Sequence, residues 1–150
     1  MRLRQGWIVA VLVATGLALP ACARTSAEEA AGVEPASVEP IEGSDVARVT
    51  LSPDAARRLD VQTAPVREFR RGDGGKSRTV IPYASVLYDP NGDTWTYTNP
   101  EPLVFVRSPI RVDRIDGSEA ILSSGPPVGT EVVTVGASEL LGVEYEVGEE

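Results

Sequence analysis

Apolar and polar residues alternate through much of the second half of the chain. Residues 94–98 alternate strictly, with Trp95 and Tyr97 on one face, and residues 103–112 show the same repeat of two. This repeat is typical of β-strands with one buried face. Further extended segments lie at 46–51, 61–66, 80–88, 119–123 and 131–135, with turn-like segments at 89–92, 116–118 and 125–129. Short strands joined by such turns predict a mainly β fold, a small antiparallel β-barrel or sandwich.

One short helix is predicted within this series. Ser52 is suited to the N-cap, Pro53 to the first helical position and Asp54 to the first turn. A helix of two turns is marginal in water, so we expect it to dock on the β domain through Ala56 and Leu59.

The first residues of the chain have the pattern of an export signal. Arg2 and Arg4 precede an apolar segment, residues 7–19, that is too short to span a bilayer. Leu19-Pro20-Ala21-Cys22 resembles the bacterial lipobox, which predicts a lipoprotein signal peptide at residues 1–21 and a diacylglyceryl (palmitate-type) anchor on Cys22. The protein would then lie on the extracytoplasmic face of the cell membrane. The alternative is ordinary secretion, with Cys22 discarded in the signal.

Two acidic segments flank the predicted β domain. Residues 22–45 carry several glutamates and prolines without apolar periodicity, which predicts a disordered tether. The β domain is predicted at residues 46–143, followed by an acidic tail at 144–150.

Composition narrows the functional classes. The chain has a net charge of −8, which argues against nucleic acid as a partner. Cys22 is its single cysteine, so no internal disulfide forms. It has no histidine, the commonest general base and transition-metal ligand. We therefore expect a protein that is not an enzyme and that has no catalytic residues, metal site or cofactor.

One basic segment interrupts the acidic sequence, formed by Arg70, Arg71, Lys76 and Arg78. It is a candidate contact for an acidic partner or a lipid phosphate, and the alternative is a solvated loop. Its residues 72–77 end like a phosphate-binding loop, but a strand follows where that motif needs a helix, so we predict a mobile loop.

Two further features have alternative interpretations. Residues 89–93 place oxygen ligands as a calcium-binding loop does, yet the later positions of that motif fail, which favours a hairpin turn. Trp95 and Tyr97 fit one half of the core, with a ligand platform as the alternative.

Several short segments, in this order and spacing, resemble the periplasmic adaptor subunits, or membrane fusion proteins, of resistance-nodulation-division efflux pumps. The segments are Thr50-Leu51-Ser52-Pro53, Leu59-Asp60-Val61-Gln62-Thr63, Ile81-Pro82-Tyr83-Ala84-Ser85-Val86-Leu87-Tyr88, Trp95-Thr96-Tyr97-Thr98, Ser123-Ser124-Gly125, Gly129, Val132-Val133, Gly136-Ala137 and Leu140.

The similarity covers the membrane-proximal β domain of that family and spans most of residues 46–141. It implies a non-enzymatic module that rests on the extracytoplasmic face of a transporter. Full adaptors also contain a lipoyl-like domain and usually an α-helical hairpin, and here only residues 69–77 occupy that interval.

We therefore expect a lipid-anchored, extracytoplasmic adaptor module that docks on a membrane transporter or another envelope protein. The alternative is a free-standing lipoprotein that binds a small ligand or a cation through carboxylates and the Trp95–Tyr97 face.

Overall fold

The computed structural model describes residues 34–70 and 77–147, which contain eleven strands and two α-helices. The strands are β1 (Ala36–Pro40), β2 (Ala47–Leu51), β3 (Gln62–Pro65), β4 (Arg67–Phe69), β5 (Arg78–Pro82), β6 (Leu87–Tyr88), β7 (Thr94–Glu101), β8 (Val104–Pro109), β9 (Arg111–Asp116), β10 (Glu119–Ser124) and β11 (Glu131–Val135). The helices are α1 (Pro53–Arg58) and α2 (Ala137–Val147), and a 3₁₀ turn covers Tyr83–Ser85.

The strands form two antiparallel sheets. The larger sheet has seven strands in the order β1-β2-β8-β7-β11-β3, with β6 also paired to β7. The smaller sheet has the order β4-β5-β10-β9. Neither sheet closes into a barrel, so the predicted mainly β antiparallel fold is confirmed in its sandwich-like form.

The larger sheet is buried on both faces. Val132 and Val133 are neighbours on β11, and their side chains point in opposite directions. Val133 belongs to the core formed with both helices, whose buried members also include Val49, Leu51, Tyr97, Phe105, Ala137 and Leu140. Val132 belongs to the core between the sheets, with Val66, Ile81, Ile110, Ala120 and Leu122. The domain thus has three layers: helices, large sheet and small sheet.

Helix α1 begins as its sequence predicts. The Ser52 side chain accepts a hydrogen bond from the backbone N–H of Ala55 at 3.2 Å, and Pro53 occupies the first turn. Ala56 and Leu59 pack against the helix-side core, which supplies the stabilisation that so short a helix needs.

Helix α2 was not predicted by the sequence. It follows Gly136, whose φ of +89° is disfavoured for other residues, and Leu140 donates the first α-helical hydrogen bond back to the Gly136 carbonyl at 3.0 Å. The predicted acidic tail from residue 144 is therefore wrong for residues 144–147. Glu144 belongs to α2, and its side chain is buried against the large sheet. Its carboxylate is surrounded there by the guanidinium of Arg107 and the hydroxyl of Tyr97.

The predicted tether is also wrong in its second half. Strand β1 forms a ladder with β2 that runs from Ala36↔Leu51 to Pro40↔Ala47. Val38 packs on the helix-side core, and Pro40 is tolerated because β1 is an edge strand. The predicted signal peptide at residues 1–21 lies outside the described residues. So do Cys22 and the rest of the predicted tether up to residue 33.

Candidate binding surface

The basic segment flanks the connection between two strands of the small sheet. Arg70 directly follows β4 and Arg78 begins β5, and the two strands pair with Phe69 opposite Arg78. The structure therefore brings Arg70 and Arg78 to the two ends of one connection. Arg71 and Lys76 lie outside the described residues.

Hydrogen bonds close the base of this connection. Glu68 Oε1 accepts from the Ser77 hydroxyl at 2.6 Å and lies 3.1 Å from Arg70 Nε. The bond from Ser77 and the guanidinium of Arg70 lower the pKa of Glu68 from its ordinary value. The charge of Arg70 is thus partly compensated, which the sequence did not indicate.

Cross-strand register adds two arginines to the same region. Arg67 is paired with Val80, Val80 with Ile121, and Ile121 with Arg114, so these four residues form one row across the small sheet. Directly paired residues share a face of a sheet. Their neighbours along β5 and β10 point into the core between the sheets, so this row lies on the opposite, outer face.

We call the outer surface formed by Arg67, Phe69, Arg78 and Arg114 the arginine face. Beneath it, Val80 and Ile121 are only 2% and 1% exposed. The guanidinium carbon of Arg114 lies 5.2 Å from the centroid of the Phe69 ring. Such a contact is a cation–π interaction, so the guanidinium of Arg114 lies over an aromatic ring rather than beside a carboxylate.

The arginines of this face differ in their acidic partners. Arg67 forms an ion pair with Glu119, while Arg78 lies 4.0 Å from Asp113. Arg114 has no carboxylate within 4.0 Å in the part of the chain that the structure describes. In a protein with a net charge of −8, this face therefore keeps cationic groups available.

A buried ion pair between an arginine and a glutamate lies on the other side of the large sheet. Arg107 of β8 and Glu144 of α2 are 6% and 5% exposed, and Arg107 Nη2 lies 3.1 Å from Glu144 Oε1. The same oxygen accepts from the Ala47 backbone N–H at 3.1 Å, and Glu144 Oε2 accepts from the Tyr97 hydroxyl. This ion pair joins α2 to the sheet.

Two aromatic rings enclose the buried guanidinium. The guanidinium carbon of Arg107 lies 4.4 Å from the centroid of the Trp95 ring and 5.5 Å from that of Tyr145. Burial, followed by the hydrogen bond to Glu144, raises the pKa of Tyr97 above its ordinary value. Tyr97 is fully buried, so its core assignment is confirmed and a ligand platform that includes it is excluded.

The hairpin prediction for residues 89–93 is confirmed. Asp89 Oδ1 accepts from the backbone N–H groups of Asn91 and Asp93, both at 2.9 Å, and Oδ2 accepts from Trp95 Nε1 at 3.3 Å. Desolvation acts to raise the pKa of Asp89, but these hydrogen bonds outweigh it and the pKa is lowered. This carboxylate therefore holds the turn between β6 and β7.

A groove of about 710 Å³ lies at one end of the two sheets. Its walls are formed by residues 92–95, 109–112 and 123–124. The Thr94 hydroxyl donates to the Ile110 carbonyl at 2.7 Å, and the Ile110 N–H donates to the Thr94 carbonyl at 2.9 Å. Because these bonds connect two of its walls, the groove is formed before any ligand binds.

Comparison of the chain with protein-family models, curated proteins and solved structures gave no match. Across residues 34–70 and 77–147, no helix has both the length and the apolar character needed to cross a membrane. The same described residues contain no group of three or more acidic, cysteine or histidine side chains arranged to hold a metal ion.

Proposed function

We propose that the protein is a lipid-anchored, extracytoplasmic adaptor module that docks on a membrane transporter or another envelope protein without catalysing a reaction. It would correspond to the membrane-proximal domain of the efflux adaptors that its sequence resembles. The observation that carries this proposal is the arginine face, an outer sheet surface that combines three arginines with an aromatic ring.

The composition of this face suits a protein interface. Arginine and aromatic residues are enriched in interface cores, where the guanidinium binds carboxylates and the apolar part of the side chain packs. On the arginine face, the half-buried Phe69 ring supplies apolar surface, and the arginines supply charge around it. An acidic partner surface would be attracted here, whereas the chain as a whole, at −8, would repel it.

Anchoring would make a modest contact sufficient. A lipid on Cys22 would hold the domain on the same membrane as its partner, and such tethering gives effective concentrations on the order of millimolar. A weak contact would then be populated without a large interface.

The test is photo-crosslinking in intact cells from a benzoylphenylalanine at position 69. Replacing Arg67, Arg78 and Arg114 with glutamine should reduce crosslinking to a membrane protein at least about threefold, since exposed ion pairs contribute roughly 0.2–1 kcal/mol each. The matched control replaces Arg48, Arg57 and Arg58, three arginines outside the small sheet, with glutamine and should leave crosslinking unchanged.

The basic segment of the sequence is tested in the same assay. A variant with Arg70, Arg71, Lys76 and Arg78 replaced by glutamine reports whether the connection after β4 adds to the contact. Equal crosslinking in the face variant, the segment variant and the control would contradict the docking proposal.

The second candidate function is that of a free-standing ligand- or cation-binding lipoprotein. The groove at the end of the two sheets favours it, since 710 Å³ falls within the range of small-molecule sites, about 300–1,000 Å³. Saturable binding of a soluble ligand, with no membrane protein crosslinked from any position on the arginine face, would favour this candidate over the adaptor.

A further inference from the structure

The groove between the sheet ends carries two opposite charges on separate walls. Arg111 begins β9 on one wall, and Asp93 lies in the β6–β7 hairpin on the other, and both side chains are exposed. They come from segments that the sequence separates by 18 positions, and only the packing of the two sheets brings them to one groove.

Neither charge is neutralised in the part of the chain that the structure describes. Arg111 has no carboxylate within 4.0 Å, and Asp93 has no basic group within that distance. The two residues therefore line the same groove without pairing with each other. This differs from the arginine face, where Arg67 and Arg78 have acidic neighbours.

The rest of the groove combines apolar and hydroxyl groups. Ile110 is 4% exposed and Val112 packs on the core between the sheets, so the apolar surface open to a ligand comes from the exposed Pro109 and the half-buried Trp95. Ser123 and Ser124 add hydroxyl groups at the side of Arg111, and the Ser123 hydroxyl fixes that wall by donating to the Arg111 carbonyl at 3.2 Å.

We propose that this groove binds a small zwitterionic amino compound with apolar side chains, of the size of an amino acid or dipeptide. The carboxylate of the ligand binds the Arg111 guanidinium, its ammonium group binds the Asp93 carboxylate, and its side chains lie against Pro109 and Trp95. A molecule that carries both charges satisfies both walls, whereas a simple anion would be repelled by Asp93 and a simple cation by Arg111. This inference does not depend on the docking proposal.

The chain contains its own reporter for this site. Trp95 lines the groove, and Trp7 is the second of the two tryptophans in the sequence. In the full chain carrying Trp7→Phe, all indole fluorescence therefore comes from Trp95. Titration with the dipeptide Leu-Leu should give a saturable change in this fluorescence.

Three related compounds separate the contributions of the two charges. N-acetyl-Leu-Leu carries only the anion, Leu-Leu-amide only the cation, and N-acetyl-Leu-Leu-amide neither. We expect each to bind at least about fivefold more weakly than Leu-Leu, because each lacks at least one charge-assisted hydrogen bond. N-acetyl-Leu-Leu binding as tightly as Leu-Leu would overturn the zwitterion assignment.

Protein variants locate the binding. Arg111→Gln and Asp93→Asn should each weaken Leu-Leu binding by a similar factor, and circular dichroism should stay unchanged because both side chains are exposed. Arg58→Gln removes the same charge as Arg111→Gln from an exposed position on α1 and should leave binding unaltered. The proposal fails if Leu-Leu produces no saturable change, or if Arg111→Gln binds it like the parent chain.

Discussion

Replacing Glu144 with alanine tests how helix α2 is held on the large sheet. The substitution removes the carboxylate that accepts hydrogen bonds from Arg107 Nη2 and the Ala47 N–H, each at 3.1 Å, and from the Tyr97 hydroxyl. Arg107 would then be left nine-tenths buried with its positive charge uncompensated. Two neutral donors would lose their acceptor at the same time.

The expected loss of stability is large. Removing one partner of a buried ion pair costs about 3–5 kcal/mol, against a total unfolding free energy of about 5–15 kcal/mol for a domain. With an unfolding entropy of about 2.1 cal/mol/K per residue, a loss of this size lowers the melting temperature of a domain of this length by about 12–20 °C.

Thermal and urea unfolding, followed by circular dichroism, measure this loss. The control is Glu146→Ala, which removes an acid from an exposed position of the same helix and should cost less than about 0.5 kcal/mol. The double variant Arg107→Met with Glu144→Leu should be more stable than Glu144→Ala, because it removes both charges together. If Glu144→Ala unfolds like Glu146→Ala, the ion pair does not hold the helix and the reasoning is refuted.

Two further predictions concern the large sheet. The raised pKa of Tyr97 means that its contribution to stability is fully present below the unfolded-state pKa of about 10 and is lost as pH rises above that value, by up to ~1.4 kcal/mol per pH unit. Urea unfolding between pH 8 and 11 should show a steeper decline for the parent chain than for Tyr97→Phe, and equal slopes would contradict the assignment. Thr96 is fully buried and its hydroxyl has no hydrogen-bond partner among residues 34–70 and 77–147, so Thr96→Val should stabilise the domain by about 1 kcal/mol in urea unfolding. A loss of more than about 1 kcal/mol would instead mean that an ordered water satisfies this hydroxyl.

The β-strands were predictable where a local repeat was strong. In β7, the alternation around Trp95 and Tyr97 indicates a strand, and the structure places Tyr97 in the helix-side core. Helix α1 was predictable for a similar reason, because Ser52 and Pro53 act within one turn of the helix that they start. In both cases the signal lies within a few residues of the element.

The missed elements depend on distant partners. Strand β1 places two apolar side chains, those of Ala36 and Val38, on the helix-side core, and it becomes a strand because β2 pairs with it. Helix α2 ends in an acidic stretch that resembles a tail, and Glu144 is buried there because Arg107, 37 positions earlier, supplies the opposite charge. Nothing in the local pattern indicates such a pairing.

The arginine face and the basic segment beside it also combine residues that the local sequence predicts with residues that only the fold brings together. Arg70 and Arg78 were predicted to share a site because one short connection joins them. Arg67 and Arg114 are 47 positions apart and meet on one face only through the register of four strands, which a single sequence does not specify. The acidic partners of these arginines, such as Glu119 in its ion pair with Arg67, could not be predicted from the sequence for the same reason.

The arginines of this domain therefore fall into two kinds that experiments can separate. Arg107 is buried, and its charge is compensated by Glu144, so changes to it alter the free energy of unfolding. Arg114 lies on the outer sheet face with an aromatic ring as its neighbour, so its charge remains available to a partner. Because the two residues lie in different layers and share no contacts among the described residues, their effects should be independent. A substitution at Arg114 that changed stability as much as one at Arg107 would show that the arginine face belongs to the folding core, and docking would then need another surface.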